Sequence, residues 1–110
     1  MKFLKTNEKR TNLRIPCSQP VIIKENTADS LGTMTDFSKY GLGFILSRKV
    51  DIEKTIEINF SIPINNKYQS FTFKAKVQHC IDYYEQNHIG VLLNIEGDKY
   101  NNLVNQIVAA

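Results

Sequence analysis

Thr55-Ile56-Glu57-Ile58-Asn59-Phe60-Ser61-Ile62 alternates polar and apolar residues without a break. A period of two puts Ile56, Ile58, Phe60 and Ile62 on one face, the pattern of a strand with one side in a core and one in water. Reading outward, Pro63 to Lys67 contains Asn65-Asn66, residues that tolerate positive φ, and predicts a hairpin connection. From Phe71 the odd positions Phe73, Ala75, Val77, His79, Ile81 and Tyr83 keep one phase, which predicts a long strand bending around a barrel, with Ala75 at the bend and His79 facing inward. Glu85-Gln86-Asn87 then turns the chain, and Ile89, Val91, Leu93 and Ile95 form a last strand with Gly90 on its other face. On the N-terminal side, Arg48 to Lys54 is a polar excursion. It is preceded by a return strand carrying Leu42, Phe44 and Leu46, a strand from Leu31 to Phe37, and an apolar run from Val21 to Lys24. Pro16 and Pro20 bracket a connector before it.

Beyond Gly97-Asp98 the spacing of Tyr100, Leu103, Val104, Ile107 and Val108 changes to i, i+3, i+4, i+7, i+8, one face of an amphipathic helix placed across a barrel opening. Six short-turned strands and one helix predict a mainly β fold, a small six-stranded antiparallel barrel with a C-terminal α-helix, because closure removes exposed edges. A chain of 110 residues supports one such domain and no catalytic domain beside it.

The net charge of +3 is unevenly spread. Lys2, Lys5, Lys9, Arg10 and Arg14 face only Glu8 in the first fourteen residues, so that segment holds +4 and the remainder −1. Residues 1–15 therefore read as a basic flexible arm and residues 16–110 as the barrel with its helix. Such an arm suits a phosphate ligand, a nucleic acid or an anionic surface. Phe3 and Leu4 are too few for a secretory signal and no run reaches transmembrane length, which predicts a cytoplasmic chain without membrane insertion. Cys17 and Cys80 lack metal or disulfide spacing, His79 and His88 have no third ligand at metal spacing, and neither a nucleophile triad nor a phosphate-binding glycine loop occurs. The reading is a chain that is not an enzyme and holds no metal or cofactor.

Two motifs remain. Arg10-x-x-x-Arg14 sets two guanidinium groups where they can grip phosphates bidentately and stack on a purine. Asp36-Phe37-Ser38-Lys39-Tyr40-Gly41 closes a hairpin and adds a carboxylate, a hydroxyl and a glycine. A carboxylate accepting from two adjacent N–H groups suits the N1–H and N2 amine edge of guanine. The first motif occurs by chance in about one in four chains of this length, so the second, rarer one is what gives it meaning.

RxxxR followed by DxSxxG and an alternating strand resembles the PilZ domain family, bacterial receptor modules for cyclic di-GMP, from Arg10 to the helix. The resemblance implies that Arg10 and Arg14 meet phosphates and guanine faces, that Asp36 and Ser38 meet guanine edge and phosphate, and that Gly41 holds the turn. It also implies that Lys9, a position that helps set whether one or two stacked ligands are held, is compatible with an intercalated pair. The expected function is a cyclic di-GMP receptor whose arm orders on binding and signals to a separate effector protein in motility, pili, exopolysaccharide or virulence control. Two other readings compete: an adaptor acting only through protein contacts, which the intact motifs disfavour, and a barrel binding single-stranded nucleic acid. Positive charge confined to the arm disfavours the second, so no nucleic-acid partner is expected.

Overall fold

The computed structural model describes residues 13–26 and 28–109, with side chains through Ile107; Lys9, Arg10 and the side chain of Val108 lie outside the described residues. Among these residues six strands, β1 (Ile15–Glu25), β2 (Ala28–Phe37), β3 (Gly41–Leu46), β4 (Thr55–Ile64), β5 (Lys67–Tyr83) and β6 (Gln86–Asn94), precede one helix, α1 (Lys99–Ala109). They close into a barrel in the order β1-β2-β3-β6-β5-β4, every pair antiparallel. The 55–62 alternation holds: Ile56, Ile58, Phe60 and Ile62 are buried, while Glu57, Asn59 and Ser61 face outward. Val21, Ile23, Met34, Leu42, Phe44, Val77, Ile89 and Val91 fill the rest of the interior. At about 1.5–3 kcal/mol for each large side chain removed from water, this core is the main source of stability.

The helix seats Tyr100 in an aromatic nest, its ring edge-on to Phe71 at 5.1 Å and Phe73 at 5.2 Å, with Phe60 at 6.1 Å. Asn65 (φ 51°) and Asn66 (φ 66°) form the β4–β5 turn as their tolerance of positive φ predicts.

Three expectations change. Pro16 and Pro20 lie within β1, not in a connector. There β1 pairs only with β2, since β4 joins it from Val21 onward, so an absent proline N–H removes no bond to β4. In β5 the single phase breaks: the register against β6 shifts between Val77 and His79. Gln78 is the extra residue of a β-bulge, so the bend falls there and not at Ala75, and His79, Ile81 and Tyr83 face outward while Cys80 turns in. The final hairpin also turns earlier, at Tyr84 (φ 51°) and Glu85 (φ 65°), leaving Gln86 and Asn87 in β6. Tyr83 and Tyr84 are both exposed there and meet edge-on at 4.5 Å.

Candidate functional site

The DxSxxG segment ends β2, makes the turn and opens β3. Buried Phe37 anchors it, and the Ser38 N–H donates to the Gly41 carbonyl at 2.9 Å. The Gly41 N–H donates to Ser38 Oγ at 3.2 Å, and that hydroxyl donates back to the Gly41 carbonyl at 3.4 Å. Ser38 is thus buried behind the turn surface, its hydroxyl engaged by Gly41. The turn is held at two more points: Leu93 N–H donates to the Tyr40 carbonyl at 2.7 Å, and Tyr100 Oη donates to the Ser38 carbonyl at 2.7 Å. Burial, with a smaller contribution from nearby Cys17, pushes the Tyr100 phenol well above its ordinary range, so it stays a neutral donor.

Asp36 sits beside a second bulge, at Thr35, where the β2–β3 register shifts between Met34 and Asp36. Its carboxylate reaches Arg14, whose Nη1 donates to Oδ1 at 2.7 Å across 22 residues of sequence. Thr35 Oγ1 donates to Oδ2 at 3.4 Å. Arg14 is 54% exposed and Asp36 34%, so the pair remains open to an incoming group. Gly41 needs no positive φ. A Cβ there would lie 3.0 Å from the Val91 carbonyl and 3.9 Å from Arg14 Nη2, so its bare Cα leaves the approach to the arginine clear. At Gly43, the cross-strand partner of Asp36, a Cβ would come within 3.0 and 3.1 Å of the two Asp36 carboxylate oxygens. Cys17 lies beneath; burial first, then the Asp36 charge, pushes its thiol up to about 11, which leaves it protonated and inert.

Arg14, Asp36 and Gly41 therefore meet on one surface with Ser38 bracing it. Hollows of about 520 Å³ beside Glu57, Phe73 and Lys74, and about 380 Å³ beside Ile22, Leu31 and Tyr68, lie elsewhere on the barrel. The motif surface is an open face on which a guanidinium and a carboxylate are held together. Among the described residues, no three His, Cys, Asp or Glu side chains group to hold a metal ion. No helix among them is long and apolar enough to cross a membrane.

The sequence profile of the PilZ domain family matches residues 8–109. This chain belongs to the PilZ domain family. Curated proteins offer no match in sequence. Among solved structures, the Bacillus subtilis inhibitor of motility (MotI/DgrA) is similar at TM-score 0.80 and 12% identity, over 93% of this chain and 51% of that one. The PilZ domain of YcgR from Escherichia coli with c-di-GMP is similar at TM-score 0.70 and 12% identity, over 93% of this chain and 90% of that one. The K. pneumonia MrkH–c-di-GMP complex follows at TM-score 0.66 and 10% identity, over 93% and 52%. At such identities the likeness is one of fold, and the chain spans about half the length of MotI and MrkH.

Two features of this PilZ domain are missing from the motif reading. Gly43, which belongs to neither motif, makes the space in which the Asp36 carboxylate sits. Tyr100 read as one position of a helical stripe, yet its hydroxyl ties α1 to the turn. A buried tyrosine needs a partner for its O–H, and that was the signal available.

Proposed function

We propose that this PilZ domain is a cyclic di-GMP receptor that signals to a separate effector protein. The observation that carries the reading is the 2.7 Å meeting of Arg14 and Asp36, from two motifs far apart in sequence, on the open face of a PilZ barrel. The c-di-GMP held by the structurally similar YcgR domain and by MrkH supports the choice of ligand. Asp36 accepts from the N1–H and N2 donors of a guanine, and Arg14 is released to a phosphate and a base face. Arg10, and Lys9 beside it, add further charge from the arm, while Ser38 and Gly41 hold the turn and keep the approach bare. Exchange is favourable: an exposed ion pair contributes about 0.2–1 kcal/mol, whereas each hydrogen bond to a charged group contributes about 1.5–3 kcal/mol. Ordering of residues 1–15 over the bound ligand creates the surface that an effector reads, in motility, pili, exopolysaccharide or virulence control.

Replacing either arm arginine tests this. Arg10→Ala and Arg14→Ala should each remove measurable cyclic di-GMP binding by calorimetry while the thermal midpoint moves little; at Arg14 only an exposed ion pair is lost. Micromolar affinity retained by both variants would refute the assignment of the arm.

A further inference from the structure

Register across four strands sets Asp36 beside Gly43, Gly43 beside Gly90, and Gly90 beside His79. Each end of this row carries a bulge, at Thr35 on β2 and at Gln78 on β5. A bulge re-aims the side chain next to it, and here both aim inward along the row, over the paired glycines. The Asp36 carboxylate leans over Gly43. The His79 imidazole lies over Gly90, with Cε1, Nε2 and Nδ1 at 2.1, 2.5 and 2.8 Å from where a Gly90 Cβ would stand. Any other residue at position 90 would displace that ring. Without the bulge, the strand alternation would bury His79; with it, the imidazole is exposed one strand spacing, about 4.8 Å, beyond the backbone that seats Asp36.

We infer that His79 is a ligand contact, packing its imidazole against the guanine whose donor edge Asp36 holds. The inference rests on the cyclic di-GMP reading above and adds to it a residue outside both arginine and DxSxxG motifs. The two glycines let the carboxylate and the imidazole lie close against the sheet, and the exposed ring beside the carboxylate supplies a flat stacking surface for a purine. Loss of one such ring costs about tenfold in affinity.

The test is a calorimetric titration of the full chain and of His79→Ala with cyclic di-GMP, alongside the imidazole ring resonances of the wild type during the same titration. With only two histidines, His88, which instead packs edge-on against Tyr83 at 5.5 Å, is the internal control. Expected are wild-type binding, about tenfold weaker binding by His79→Ala at an unchanged thermal midpoint, and ring resonances that move for His79 far more than for His88. Wild-type affinity in His79→Ala with a still His79 ring overturns the inference and leaves the receptor reading intact. Absence of wild-type binding overturns the receptor reading and the inference with it. Should His79→Ala fail to fold, the wild-type ring resonances decide alone.

Discussion

The carboxylate of Asp36 stands at a meeting of constraints that no single residue reveals. A bulge at Thr35 turns it outward, Gly43 gives it room, and Arg14 neutralises it at 2.7 Å. Gly43→Ala isolates the second of these. The new methyl would lie 3.0–3.1 Å from both carboxylate oxygens, so Asp36 must shift by a few tenths of an ångström and its alignment with a guanine edge is lost. Because the yielding group is the end of a side chain, and because Ala in a strand is more favourable than Gly by about 0.5–1 kcal/mol, stability should change by less than about 1 kcal/mol. Calorimetry on this variant should show cyclic di-GMP affinity down by about tenfold or more, and undiminished affinity would mean that the carboxylate does not set the base. At this scale the sequence was partly legible. Asp36, Ser38 and Gly41 stood out as a motif; what the motif did not reveal is that the Ser38 hydroxyl is buried in the turn, where Gly41 engages it. His79 was expected inside, and a single inserted residue, Gln78, reverses it. Alternation counts positions and cannot register an insertion that leaves polar and apolar residues in apparent phase.

Strands and helix show how the turn is braced from two sides. Tyr100 pins the motif turn from α1, and the opposite region of the barrel has its own clamp. Glu25, at the end of β1, accepts from Lys54 at 2.7 Å and pairs with Arg48, both in the β3–β4 connection; Arg48 also donates to Ser30 on β2 at 2.8 Å. The hydrogen bond from Lys54 is the largest influence on Glu25 and outweighs partial burial, so the carboxyl sits below its ordinary value of 4.5. A depressed carboxyl contributes stability that is fully present above the unfolded value and lost as pH falls through the folded one. Glu25→Gln should therefore lower stability by about 1 kcal/mol at pH 7, the discounted contribution of a clamp with two partly exposed cations. The difference from wild type should shrink below about pH 4. Denaturation at both pH values checks this, and a pH-independent difference would show that the clamp acts through shape alone. Element boundaries were legible where turn chemistry is strong. Asn65-Asn66 announced its hairpin, but Tyr84 and Glu85 adopt positive φ, which neither residue type favours, so the last turn was read too late. Pro16 and Pro20 suggested a break in the chain, although one unpaired edge is enough to accommodate them.

Across the whole molecule, the sequence and the fold converge on a barrel whose interior is filled by side chains, leaving its functional chemistry on the outer face. Strand alternation, helix spacing and closure were all readable from 110 residues because each repeats many times along the chain. The site was readable only as two motifs; their meeting depends on a register that no local pattern encodes. In the proposed receptor it is the +4 segment that supplies the charge complementary to a doubly anionic ligand. Isothermal titration of the intact protein with cyclic di-GMP, with cyclic di-AMP and GTP as controls, measures whether recognition of that ligand is selective. Micromolar or tighter binding of cyclic di-GMP is expected, with a stoichiometry that reports whether Lys9 accompanies one ligand or a stacked pair, and no comparable heat from the other two. Absence of binding, or equal binding of cyclic di-AMP, would contradict the receptor reading.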